Sequence, residues 1–212
     1  MTKLDGPRRP AKAGKADALI VFIHGYGADG NDLIALADVF APQFPGAAFA
    51  SPHAPGLTPM GGRQWFPLTM RDPSEYKRGV EAAAPALNAF FDDELQRLGL
   101  PQNRLVIVGF SQGTMMGLHV GLRRAVAPAA IVGFSGLCAD PAATDLNGAP
   151  TLLVHGTADE VLPAALTVEA AQALGTAGVP VEWHLVPGLG HGIEQTGLAF
   201  ASGHIRQGLA PK

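Results

Sequence analysis

Ser111, His191 and an aspartate near residue 159 stand where backbone geometry, rather than packing, explains their presence. Ser111 lies in VGFSQGT (108–114), with Gly109 and Gly113 two residues to either side, directly after an apolar run. A serine set in Gly-x-Ser-x-Gly, where a buried strand turns into a helix, matches a nucleophile elbow. The glycines let strand and helix pass closely with no Cβ between them, and the tight turn lifts the hydroxyl above the sheet's carboxyl edge. The N-terminus of the following helix favours negative charge developing there. An ordinary Gly-rich turn has the same composition, so the strand–helix context carries the weight.

A free hydroxyl is a weak nucleophile and needs a base. Behind such an elbow the chain order is Ser, then acid, then His. Of the seven histidines, His24 and His53 precede the elbow, His119 falls in the helix after it, and His155 ends a strand. His184 lies inside a strand and His204 in the terminal helix. His191 sits in GLGHG (188–192), a Gly-rich loop after the last strand that can bring an imidazole back over the sheet edge. The acid that orients it is expected at Asp159, in HGTADE (155–160), on the loop next to the one carrying His191. Glu160 would point elsewhere, and Asp140 and Asp145 after the preceding strand are rival positions. Ser135, in GFSG, also ends a strand, but its glycines lie two before and one after, so it reads as a strand-end turn.

Gly25-Tyr26-Gly27-Ala28-Asp29-Gly30 reads literally as GxGxxG after a buried strand, the setting of a dinucleotide site. That site also needs an acid about 20 residues on for a ribose hydroxyl. Positions 45–55 read PGAAFASPHAP, with none. The other reading takes HGYG as an oxyanion loop, with the N–H groups of Tyr26 and Gln112 as donors; the elbow serine decides for it. Asp29, Asn31 and Asp32 suggest a metal loop, but capping of the segment DLIALADVF explains them more simply.

The elements that must hold these residues alternate. Ala18–His24, Ala47–Ser51, Arg104–Phe110, Ala129–Ser135, Thr151–His155 and Val181–Val186 read as strands buried on both faces. Helices are expected over roughly 31–41, 74–98, 112–126, 163–176 and 193–207. In 74–98, Asp72-Pro73 supplies the start and Gly99 the stop, and Pro85 is expected to kink or split the helix. The pattern implies an α/β fold, a mostly parallel sheet with helices on both faces. The chain has 212 residues, enough for one domain, 1–212, and neither repeats nor low-complexity linkers interrupt it.

Formal net charge is −3, which gives nucleic acid no reason to bind. Residues 1–16 carry five basic groups against Asp5, a local balance of +4 that leaves −7 on the remainder. This basic arm reads as a solvated tail or edge segment, with membrane-surface contact as the alternative. No signal-peptide pattern or membrane-length apolar run is visible, and Cys138 is the single cysteine; both favour the cytoplasm.

FIHGYGADGND, GRQWF, GFSQG, HGTAD and GLGHG, in that order, make the chain resemble the phospholipase/carboxylesterase family of α/β-hydrolases from about Ala18 to the terminal helix. That family includes bacterial carboxylesterases, acyl-protein thioesterases and lysophospholipases. By resemblance, Ser111, Asp159 and His191 correspond to its triad and Tyr26 and Gln112 to its oxyanion donors, while Trp65 matches a residue near the acyl site. Two departures stand out: many relatives have leucine at the Tyr26 position and glycine at the Thr114 position.

Ser111 and Asp159 are only 48 positions apart, which leaves no room for a large lid between them. The site is therefore expected to be open. It is bordered by the 54–72 loop with Trp65, Phe66, Leu68 and Met70, and by Val161 and Leu162. These readings converge on a cofactor-free, metal-free serine esterase for short- to medium-chain acyl groups. The runner-up is a thioesterase or lysophospholipase for long chains. A hydrolase fold that only binds is the alternative of a different class. The expected partner is a small-molecule acyl ester or thioester, without nucleic acid or stable membrane insertion; monomer and homodimer stay equally open.

Overall fold

In a computed structural model of the chain, residues 3–69, 72 and 74–211 are described; the expected contributions of Met70 and Pro73 lie outside them. The first half contains β1 (Arg8–Arg9), β2 (Ala18–Ile23), α1 (Gly30–Leu33), α2 (Ala37–Phe40), β3 (Ala47–Ala50), β4 (Gly56–Leu57), β5 (Arg63–Gln64) and α3 (Ser74–Leu98). The second half contains β6 (Leu105–Phe110), α4 (Gln112–Gly121), β7 (Ala130–Phe134), β8 (Thr151–Gly156), α5 (Ala165–Thr176), β9 (Val181–Val186) and α6 (Gln195–Leu209).

Seven strands form one sheet in the order β1-β3-β2-β6-β7-β8-β9, parallel except for β1. The chain leaves β2 in one direction, to β3, and resumes on its other side at β6. The carboxyl ends of β2 and β6 therefore flank the point where winding reverses, where such sheets place ligands. Because strand side chains alternate, each central strand feeds two cores. Leu19, Val21, Ile23, Leu105, Ile107 and Leu153 pack on one face with Val80, Leu87 and Phe91 of α3 and Met115 and Leu118 of α4. Ile20, Phe22, Val106, Val108, Leu152 and Val154 pack on the other with Phe40, Ala201 and Ile205. Each such buried side chain contributes about 1.5–3 kcal/mol, which is why the strands read as continuous apolar runs. This is an α/β-hydrolase-like fold in a single domain.

The basic arm keeps to its edge-segment reading, contributing the edge strand β1 with Arg8 opposite Ala50 and Arg9 opposite Phe49. Arg8 is also anchored to α3, its Nε donating to Glu94 Oε1 at 2.9 Å. Several expectations change in detail. The helix expected over 31–41 is broken into α1, a 3₁₀ turn at Ile34–Leu36, and α2. Asp29 does cap its start, accepting from Asn31 N at 2.7 Å. α3 runs through Pro85 as one helix instead of splitting there, and Asp72 accepts from Ser74 N at 2.9 Å at its start.

α4 stops at Gly121 rather than 126; the Asn147 side chain donates to the carbonyls of Gly121 and Arg124, each at 2.9 Å, and so takes up carbonyls at the helix end. β9 is not buried on both faces. It is an edge strand, and Trp183 and Leu185 are 43% and 36% exposed. Among the described residues, no helix is long and apolar enough to cross a membrane.

Candidate active site

Ser111 follows the last residue of β6 and precedes the first of α4, with φ 54° and ψ −117°. A non-glycine residue there is strained, and close packing on both sides holds it. A Cβ on Gly109 would lie 2.4 Å from Gly113 O, and one on Gly113 would lie 1.9 Å from Ile23 O. No side chain fits either place, so the spacing that marks the motif is a steric requirement.

His191 stands on the loop between β9 and α6. Its Nδ1 is 2.7 Å from Asp159 Oδ2, and its ring lies 5.0 Å from that of Phe110, the residue before Ser111. The carboxylate only accepts, so Nδ1 carries the proton and Nε2 of the neutral ring keeps its lone pair. Asp159 Oδ1 accepts from Val161 N at 2.8 Å and Leu162 N at 2.9 Å. Burial of Asp159 opposes its ionisation. The N–H of Leu162, the His191 ring and the N–H of Val161 outweigh that and hold the carboxyl below its usual range.

The rival Asp140 is engaged elsewhere, 3.1 Å from Lys77 Nζ and 2.8 Å from Arg123 Nη2. Asp145 is exposed.

The HGYG loop leaves β2 beside the serine, close enough that a Cβ on Gly25 would sit 3.2 Å from Ser111 Cβ. His24 is fully buried, and burial lowers its pKa. Its Nε2 accepts from Ala54 N at 3.0 Å, so its Nδ1–H donates to Gly25 O at 2.8 Å. The Gly25–Tyr26 peptide is planar and trans, so fixing that carbonyl also fixes the direction of the Tyr26 N–H. Gly27 N donates to Arg63 O at 2.8 Å, tying the loop to the β4–β5 hairpin. Among the described residues, the N–H groups of Tyr26 and Gln112 have no backbone acceptor outside the helices and strands.

Ser111 opens into a cavity of about 360 Å³ that Tyr26, Leu68, Tyr76, Gln112, Met115, Val161 and Leu162 also line. The structure thus brings Ser111, Tyr26, Gln112, Val161 and Leu162 together. Val161 and Leu162 also supply the N–H groups that hold Asp159. Trp65 is the exception. It is 4% exposed, does not line this cavity, and donates from Nε1 to His24 O at 2.9 Å. Its backbone N donates to Gln112 Oε1 at 2.8 Å, and Gln112 Nε2 donates to Phe66 O at 2.8 Å. The Trp65 indole N–H thus finds a buried polar partner in the residue that opens the HGYG loop.

One feature escaped the sequence reading, and one departure it noted gains a structural account. The Gln112 side chain clamps the 65–66 loop, and a buried glutamine beside the serine was the available signal. Thr114, at one of the departures expected from the resemblance, has its Oγ1 2.9 Å from Gly109 O and 2.8 Å from Phe134 O. Room for it comes from Gly133 and Gly136, whose Cβ atoms would lie 2.5 and 2.4 Å from the Thr114 side chain.

Comparison with known proteins gives the family. The family model for Phospholipase/Carboxylesterase matches residues 8–209. Esterase YpfH of Escherichia coli (strain K12) is 29% identical over 206 residues, 96% of this chain and 86% of the relative. Acyl-protein thioesterase 1 of Schizosaccharomyces pombe is 31% identical over 172 residues, 74% of this chain and 75% of the relative. Among solved structures, esterase PE8 superposes with a TM-score of 0.93 at 38% identity, covering 97% of this chain and 99% of that one. With a match that begins at β1 and ends in α6, the chain belongs to the phospholipase/carboxylesterase family.

Proposed function

We propose that the chain hydrolyses acyl esters through a covalent acyl-serine on Ser111, with a preference for short to medium acyl chains. His191 Nε2 takes the Ser111 proton as Oγ attacks the ester carbonyl. The Tyr26 and Gln112 N–H groups receive the oxyanion. The tetrahedral adduct collapses, the leaving alcohol takes the proton back from His191, and the acyl group stays on Ser111. Water, deprotonated by His191, then attacks the acyl-enzyme and releases the acid. Asp159 keeps the proton on Nδ1 and stabilises the imidazolium.

The observation that carries this reading is a single chain of contacts. Strained Ser111 opens into the cavity walled by Val161 and Leu162, their N–H groups hold Asp159, and Asp159 holds His191.

The short-chain preference rests on the walls. Tyr26 and Val161, at 42% and 57% exposure, end the apolar lining at solvent. Each buried methylene contributes about 0.8 kcal/mol, about fourfold in kcat/KM, only while wall remains. A p-nitrophenyl ester series should therefore rise from acetyl to roughly butyryl or hexanoyl and then level or fall. A thioesterase or lysophospholipase acting on long chains is the second reading, supported by the likeness to acyl-protein thioesterase 1. A steady rise to palmitoyl, or strong preference for a palmitoyl thioester, would favour it.

A further inference from the structure

Asp159 Oδ2 is shared by two histidines. Beyond His191 at 2.7 Å, it lies 2.9 Å from Nε2 of His155, the fully buried residue near the end of β8. His155 Nε2 is also 2.9 Å from Leu162 O. Both partners only accept, so Nε2 carries a proton. On the other side of the ring, Nδ1 lies 2.7 Å from the Thr167 hydroxyl, which can donate or accept. The proton on Nε2 is thus set by its two acceptors.

Four donors surround the carboxylate: two backbone N–H groups on one oxygen and two imidazole N–H groups on the other. The nearby acidic side chains do not complicate this arrangement. Glu160 is exposed, Asp140 pairs with Lys77 and Arg123, and Glu194 caps α6.

We propose that His155 is a positioning residue for the reaction: its Nε2–H fixes the Asp159 carboxylate and draws on the same oxygen that holds His191, moderating how strongly Asp159 stabilises the His191 imidazolium. This rests on the reading of Asp159 as the acid partner. Two effects follow from sharing one oxygen. Without the His155 donor Oδ2 is held by His191 alone, which loosens the carboxylate on that side and lowers turnover. The freed oxygen also accepts more strongly from His191, which favours the imidazolium and moves the acid limb of the rate profile to higher pH.

Two isosteres separate the contacts. The amide of His155→Asn falls near Nδ1, so it keeps Thr167 and loses Asp159. The amide nitrogen of His155→Gln falls near Nε2 and keeps the donor to Asp159. The experiment measures kcat, KM and the pH profile of kcat/KM for both variants, per active site titrated with a phosphonate, beside Asp159→Asn.

The expected result for His155→Asn is a kcat lower by about 10- to 100-fold, the worth of one hydrogen bond to a charged group. KM should change little and the acid limb should move to higher pH. His155→Gln should return kcat to within a few-fold and restore the limb. If His155→Asn does not fold, His155→Leu replaces it with the same expectation. Wild-type kcat in His155→Asn, or a loss that neither moves the acid limb nor is rescued by Gln, overturns the proposal. Full activity in Asp159→Asn would instead overturn the reading on which it rests.

Discussion

Ser111 and Ser135 end neighbouring parallel strands, and both have left-handed backbone, with φ of 54° and 47°. Each donates its N–H across to the next strand, Ser111 to Phe134 O and Ser135 to Val154 O, both at 2.9 Å. Each is flanked by glycines whose Cβ positions are occupied. By strain alone they are the same device. They differ in what surrounds the hydroxyl. Ser111 lines a cavity, begins a helix, and sits next to the Phe110 ring that packs on His191. Ser135 is 1% exposed, and its hydroxyl donates to Gly192 O at 3.3 Å, bracing the His191 loop from below. Strain at a strand end is therefore a consequence of close packing; a cavity, a helix N-terminus and the His191 loop nearby are what set Ser111 apart.

The two serines interlock through Thr114. Its side chain, which follows Ser111 in α4, fills the space left by Gly133 and Gly136 on either side of the Ser135 turn. The Thr114 side chain is thus accommodated locally, by glycines on and beside the neighbouring strand.

The contrast predicts graded effects. Ser111→Ala should lower ester turnover by about 10⁶-fold, the scale set by removing the nucleophile of a serine protease, while Ser135→Ala, losing only a long hydrogen bond, should cost a few-fold at most. Steady-state assays on the two variants side by side read this directly, and comparable losses would erase the distinction.

Asp159→Asn should cost on the order of 10⁴-fold through the wrong His191 tautomer, whereas Asp140→Asn, removing an ion pair with Lys77 and Arg123, should leave kcat near wild type. The reverse ranking would move the acid to the loop after β7. The smallest effect should come from Thr114→Val, which keeps the shape and removes the hydroxyl. Activity should hold, and losing about 1 kcal/mol should lower the Tm by about 2–4 °C. An unchanged Tm would mean that the glycine pockets alone hold the helix start.

The elbow, the HGYG loop and GLGHG were legible because each depends on backbone that only certain residues tolerate, and such requirements are local. The β9 edge was not legible. Val-x-Trp-x-Leu looks apolar whether or not a further strand covers it, and sheet order decides that. The hydrogen bond of Trp65 was not legible, because its indole could serve equally as a wall or as a floor. The difference is made by His24 O, 41 residues away in the chain. His155 read as a strand-end residue, since nothing in HGTAD shows that its ring turns back to the aspartate four residues on. Pro85 invited a break, yet α3 continues through it, packed along α4 by Val80, Leu87 and Phe91.

The most direct test of the central claim is a fluorophosphonate label mapped by peptide mass in the native chain, Ser111→Ala and Ser135→Ala. The account predicts one label per chain on Ser111, absent from Ser111→Ala and undiminished in Ser135→Ala. A label on Ser135, or one that persists in Ser111→Ala, would contradict it.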